Sequence, residues 1–97
     1  MFEWHEDKEI LNIKKHNVSF SEASSIFDDY FALFRNDDIH SDTEERFVII
    51  GYSNQNRLIS AAYTERITEK GLVTRIISAR QATNFEKKLY ETRSKYN

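Results

Sequence analysis

Four stretches of this chain carry the residue types of β-strands: Phe31–Arg35, Arg46–Tyr52, Arg57–Thr64 and Leu72–Ala79. The second is rich in β-branched residues and ends in Ser53-Asn54-Gln55-Asn56, a turn cluster, while Glu69-Lys70-Gly71 supplies the turn before the fourth. Short connections join antiparallel neighbours, so these runs predict a meander. This constrains the rest of the chain, because any helix it forms must pack on one small sheet.

The flanks read as helices. Residues 5–16 contain no breaker, with Ile10, Leu11 and Ile13 expected to face inward, and Asn17 suits a left-handed C-cap. Ser19-Phe20-Ser21-Glu22 fits a capping box, Ser19 as N-cap and Glu22 reaching back. Ala23, Ile26, Phe27 and Tyr30 follow at helical spacing, so a second helix is expected over residues 20–29, ended by Asp28-Asp29. Thr83-Asn84-Phe85-Glu86 repeats the capping signature and opens a last helix with Phe85, Leu89, Thr92 and Tyr96 on one face. Phe2-Glu3-Trp4 alternates like a short edge strand. The expected order is β-α-α-β-β-β-β-α. This is an α+β fold with two N-terminal helices and one C-terminal helix on a small twisted antiparallel sheet. With 97 residues, two glycines and no proline, there is no linker or repeat, so residues 1–97 read as one domain.

Several chemistries have no support. With no cysteine, disulfides, thiolate metal sites and cysteine nucleophiles are excluded. His5, His16 and His40 share no metal-ligand spacing, and no nucleophile elbow or glycine-rich phosphate loop occurs, so neither a metal nor a cofactor is expected. No apolar run reaches the ~18 residues of a membrane span, and the acidic start is unlike a signal peptide, so the cytoplasm is the expected setting. Charge is uneven: residues 1–46 carry twelve Asp/Glu and five Lys/Arg, and residues 47–97 carry four and nine. Such asymmetry marks a nucleic-acid face or an acidic partner surface, unless folding interleaves the halves.

What remains is arginine at strand ends. Arg46 opens the second full strand, Arg66 follows the third and Arg80 closes the fourth, sharing a strand face with Ser78. Guanidinium forks match phosphate oxygens, although a strand-end arginine also serves in plain salt bridges. The second and fourth strands run parallel in a meander, which puts Arg46 and Arg80 toward opposite ends of the sheet. His40-Ser41-Asp42-Thr43-Glu44-Glu45-Arg46 is either a solvated turn or one wall of a site for phosphate chemistry.

Taken in order, the segments resemble the BrnT family of bacterial type II toxins. The pieces that carry the resemblance are Phe2-x-Trp4 with Lys8, Asn12-x-x-Lys15-His16-Asn17-Val18-Ser19-Phe20-x-Glu22-Ala23, and Asp37-x-x-His40-Ser41-x-x-Glu44-Glu45-Arg46. Gly51-x-Ser53, Tyr63-Thr64-x-Arg66, Arg75-Ile76-Ile77-Ser78-Ala79-Arg80-x-Ala82 and Glu86-x-x-x-Tyr90 complete it. Two positions depart: His5 stands where the family has Asp, a better N-cap, and Asn17 where it has Gly.

The resemblance implies a RelE-like fold and a metal-independent ribonuclease that halts translation by cutting RNA. It also implies a BrnA-type antitoxin, a DNA-binding dimer giving a heterotetramer that represses its own operon, so operator DNA is met only through the antitoxin. In such an enzyme the RNA's 2′-hydroxyl attacks the adjacent phosphorus, leaving a 2′,3′-cyclic phosphate and a 5′-hydroxyl. The candidate catalytic residues are then His40, Glu45, Arg46, Arg66 and Arg80. Arg80 and Arg66 hold the scissile phosphate, and Glu45 or His40 takes the proton. Arg46 clamps the phosphate or orients Glu45. Tyr63 stacks on a base and Ser78 lines the RNA surface. The rival reading is a non-catalytic RNA- or protein-binding module of the same fold.

Overall fold

The structure, a computed structural model, describes residues 1–37 and 44–96, with side chains as far as residue 93. Chain order is β1 (Phe2–Glu3), α1 (Glu6–His16), α2 (Phe20–Ser25) with a 3₁₀ turn (Ile26–Asp28), β2 (Leu33–Asn36), β3 (Phe47–Tyr52), β4 (Leu58–Thr68), β5 (Gly71–Gln81) and α3 (Asn84–Tyr96). The α+β class and the order of elements are as expected. The sheet order is β1-β5-β4-β3-β2, and β2 to β5 form the antiparallel meander. One pairing differs: β1 lies parallel to β5, with Phe2 opposite Thr74 and Glu3 opposite Arg75, so the sheet is mixed. Among the described residues no helix is long and apolar enough to cross a membrane.

One sheet face is the core. Ile49, Ile59, Ala61, Ile76 and Ala79 meet Val18, Phe20, Ala23 and Ile26 from the α2 region, all at most 1% exposed. Each large aliphatic or aromatic side chain so buried contributes about 1.5–3 kcal/mol. Trp4 packs its ring edge-on against Phe20, centroids 6.2 Å apart. The second helix stops at Ser25 and tightens into the 3₁₀ turn, earlier than residues 20–29 suggest. Asp29 closes it, accepting hydrogen bonds from the Phe31 N–H (2.9 Å), the Tyr52 N–H (2.8 Å) and the Tyr90 hydroxyl (2.6 Å). Gly51 makes this approach possible, since a Cβ there would lie 3.1 Å from the Ile26 carbonyl oxygen and 3.3 Å from Asp29 Oδ2.

Helix α1 is turned over relative to expectation. Ile10, Leu11 and Ile13 face solvent, at 64%, 65% and 41% exposure, whereas Glu9, Asn12 and His16 face the protein. The cause is a polar dock. β1 covers the β5 edge only at Thr74 and Arg75, leaving later backbone groups to be satisfied. The buried Asn12 amide donates to the Ala79 and Val18 carbonyls (both 2.8 Å) and accepts from the Ala79 N–H (3.1 Å), in place of a neighbouring strand. Glu9 accepts the Phe20 N–H at 2.8 Å. At the helix ends, His5 gives no side-chain cap, and Asn17 adopts the left-handed conformation (φ 57°).

Two capping boxes diverge. Ser19 accepts the Glu22 N–H, but Glu22 does not reach back. Its carboxylate accepts from Ser53 Oγ (2.7 Å) and Arg57 Nε (2.9 Å), and pairs with the Arg57 Nη2 as well. The Thr83 box is reciprocal: Glu86 N–H donates to Thr83 Oγ1 (3.2 Å) and Thr83 N–H to Glu86 Oε1 (2.9 Å). Among the described residues of α3, Glu86 and Tyr90 are buried and Leu89 is half-buried, while Phe85 is exposed.

Candidate active site

The second sheet face is built from small residues in a transverse row. Directly opposed residues on neighbouring strands share a face. Arg35 pairs with Val48, Val48 with Ala62 and Ala62 with Ser78, so the row crosses β2, β3, β4 and β5. At ~4.8 Å per strand it spans roughly 14 Å. The next row is Leu33, Ile50, Ser60 and Arg80. Ile50 is fully buried there, where α3 packs against β3. Short side chains at Val48, Ala62, Ser60 and Ser78 leave a cleft of about 460 Å³ above the sheet.

Charged groups rim this floor. Arg35, Asp37, Arg46, Arg80 and Glu86 line the cleft, and His16 closes it at the β5 edge. Arg46 stands two positions before Val48 and Arg80 two positions after Ser78, on parallel strands. They are therefore offset by four residues, roughly 13 Å along the strands, and two strands, roughly 10 Å across. The expectation that they lie toward opposite ends holds in direction, but their long arms serve one cleft.

Arg80 is aimed by Glu86. Its Nη1 donates to Oε1 at 2.7 Å and its Nη2 to Oε2 at 3.1 Å, and Nη1 also reaches the Gln81 carbonyl at 3.4 Å. A guanidinium has five N–H donors, so these three bonds leave others free, and 44% of the side chain is exposed. Burial pushes the Glu86 carboxyl upward. The Arg80 guanidinium, the Thr83 N–H and the Ser60 hydroxyl outweigh this and hold it below the usual carboxylate value. Glu86 is thus a fixed anion. Among the described residues no group of three or more His, Asp or Glu side chains is placed to hold a metal ion.

The remaining sequence candidates fall elsewhere. Arg66 does not converge with Arg80. β4 runs past Thr64 to Thr68, so Arg66 lies inside the strand, opposite Val73, six positions beyond the Ser60 that faces Arg80. That is roughly 20 Å along the sheet. There it pairs with Glu3, which also accepts from Arg75 Nε at 3.3 Å. The Arg66 bond, and then Arg75, draw the Glu3 carboxyl down to about 2. Glu45 is exposed beside a separate cleft of about 310 Å³ with Arg66 and Glu65. Tyr63 is 4% exposed and belongs to the core. Phe47 stacks on it at 5.5 Å and Phe27 meets it edge-on at 5.0 Å, so no ring face is open to a base. Burial, with a smaller contribution from Glu65, pushes its hydroxyl up to about 12. His40 lies outside the described residues.

Arg35, His16 and Glu86 were not singled out as site residues by the sequence. His16 and Glu86 sat in segments already explained as a helix end and a capping box. Arg35 carried only a weak signal, an arginine in an otherwise apolar strand run.

A search of curated proteins found no match to the chain. A family model described as the ribonuclease toxin, BrnT, of a type II toxin-antitoxin system matches residues 4–86, a span that contains every residue of the cleft named above.

Proposed function

Because the chain belongs to the BrnT family of ribonuclease toxins of type II toxin-antitoxin systems, we propose that the arginine-rimmed cleft on the second sheet face is where it cuts RNA. The observation that carries this reading is the placement of Arg35, Arg46 and Arg80 around one floor of small side chains. Three guanidinium groups match the repeated charge of a phosphodiester backbone. The short side chains of Ser78, Ala62 and Val48 let a ribose-phosphate linkage approach the sheet.

The reaction is metal-independent. The 2′-oxygen of the RNA attacks its own 3′-phosphorus, the bond to the 5′-oxygen breaks, and the products carry a 2′,3′-cyclic phosphate and a 5′-hydroxyl. Negative charge builds on the non-bridging oxygens in the transition state, and preorganised donors there are worth roughly 10²- to 10³-fold in rate. Arg80, locked by Glu86, is the donor best fixed in advance, and Arg46 approaches from the opposite end of the floor. Arg66 and Glu45 stand outside this cleft.

Cutting RNA stops translation, and a toxin of this class is held in check by an antitoxin. We assign that role to a BrnA-type protein that forms a heterotetramer with the toxin and alone contacts operator DNA. The test of the catalytic reading is direct. The purified protein is incubated with single-stranded RNA in excess EDTA and the new ends are mapped. Fragments ending in cyclic phosphate support it. RNA that is bound but left whole supports the rival reading, a non-catalytic binding module.

A further inference from the structure

We propose that His16 is a catalytic residue of this cleft, the general base that takes the 2′-hydroxyl proton. The inference rests on the assignment of the cleft as the ribonuclease site.

His16 is the last residue of α1 and lines the cleft beside Ile77 and Ser78. Its position is fixed on both sides. One turn earlier, Asn12 is bonded to both backbone groups of Ala79. One residue later, the Asn17 N–H closes the helix on the Ile13 carbonyl at 2.7 Å. The imidazole is half-buried, and it makes no hydrogen bond or ion pair with any described residue. A fixed backbone carrying an uncommitted ring is the arrangement a proton-transfer group needs.

The other described groups of the cleft are poorly suited to the task. Guanidinium groups carry donors and no acceptor, so Arg35, Arg46 and Arg80 are phosphate ligands and not bases, and the hydroxyls of Ser60 and Ser78 are too weak as bases for the task. Glu86 is committed to Arg80 and the Thr83 N–H. Asp37 lies on the far side, after β2. Histidine alone among ordinary side chains exchanges a proton near neutrality. Among the described residues, the charged groups that line the cleft with it are Arg35, Asp37, Arg46, Arg80 and Glu86, and Glu9 lies two turns earlier on the inward side of α1.

In the step assigned to it, neutral imidazole accepts the 2′-hydroxyl proton as the bond from the 2′-oxygen to phosphorus forms. The bond from phosphorus to the 5′-oxygen breaks, the departing oxygen takes a proton from solvent water, and the imidazolium returns its proton to solvent.

The experiment compares wild type, His16→Ala, His16→Asn, His40→Ala and Arg80→Ala. It measures single-turnover RNA cleavage against pH, affinity for the same RNA with a 2′-deoxy substitution at the cleavage site, and folding by circular dichroism. We expect both His16 variants to fold and to bind the deoxy RNA within about threefold of wild type. Cleavage should fall roughly 10²- to 10⁴-fold, the scale of acid-base catalysis. The rise of the wild-type rate with pH should flatten, and added imidazole should restore part of the rate to His16→Ala. A His16→Ala or His16→Asn protein that cleaves at the wild-type rate, or keeps the rising limb, overturns the assignment. So does a limb lost in His40→Ala and kept in the His16 variants. If wild type cleaves and Arg80→Ala does not while the His16 variants are unaffected, only the role of His16 falls. If wild type leaves RNA whole, the ribonuclease reading of the cleft falls with it.

Discussion

Arg80 and Glu86, on β5 and α3, are joined by a two-pronged ion pair, Nη1 to Oε1 at 2.7 Å and Nη2 to Oε2 at 3.1 Å. The same Glu86 oxygen that receives Nη1 accepts the N–H of Thr83, which opens α3. The start of the last helix and the aim of the cleft's arginine are therefore one structure. A residue that reads in the sequence as a helix cap also positions a phosphate ligand.

Glu86→Gln separates the two jobs. Glutamine keeps an acceptor for the Thr83 N–H but loses the charge that holds Arg80. We expect the protein to fold and its cleavage rate at saturating RNA to fall roughly tenfold to hundredfold, below the cost of deleting a donor outright. KM should change much less. Single-turnover kinetics over a range of RNA concentrations separate the two effects, and an unchanged maximal rate would remove Glu86 from the site.

Arg35 and Arg46 should show themselves through salt. Each phosphate neutralised on a single strand contributes about 0.7 to the slope of log affinity against log salt. Arg35→Ala and Arg46→Ala should each reduce that slope by roughly this amount, measured by fluorescence anisotropy with a 2′-deoxy RNA. An unaltered slope in either variant would place that arginine outside the contact surface.

Asn12→Ala removes the polar dock of α1. It strands the Ala79 N–H and carbonyl and the Val18 carbonyl in a buried setting. Each unsatisfied group costs about 1–3 kcal/mol, relieved in part by relaxation, so a loss of about 3 kcal/mol is expected from urea unfolding. A loss below about 0.5 kcal/mol would mean that the amide contributes little to holding α1.

Much of the fold is legible in the residues. The existence and order of the strands, the Ser53–Asn56 turn, the left-handed Asn17 and both serine and threonine N-caps occur as read, although β2 starts two residues late and β4 and β5 run past their expected ends. What misleads is the assumption that apolar residues on a helix face inward. Ile10, Leu11 and Ile13 look like a core face, yet α1 meets a sheet edge, whose unpaired backbone selects Asn12 and Glu9 instead. The site was less legible for a related reason. Arginine spacing on a strand gives its face but not its distance along the sheet, which depends on where β4 ends. Because β4 continues to Thr68, Arg66 moves away from Arg80 and toward Glu3. Nor does charge asymmetry locate the cleft: Arg35 and Arg46 both come from the acidic half of the chain.

Acid stability should report the Glu22–Arg57 pair. The Arg57 hydrogen bond, opposed by burial and aided by Ser53, holds the Glu22 carboxyl below its ordinary 4.5. A lowered folded value means that the group stabilises the protein fully above the unfolded value and loses that contribution as pH falls through the folded one. Wild type should therefore be more stable than Glu22→Gln at pH 7, and the gap should shrink progressively below pH 4.5. Chemical unfolding of both proteins across this range measures it; a gap constant with pH would contradict the ionic origin.

The central claim, that RNA is cut at the cleft floored by Ser78 and not at the Glu3–Arg66 end of the sheet, is tested most directly by single-turnover cleavage with Arg80→Ala and Arg66→Ala. The account predicts a fall of roughly 10²-fold or more for Arg80→Ala and a change within about threefold for Arg66→Ala, both proteins folded. Full cleavage by Arg80→Ala with loss in Arg66→Ala would contradict it.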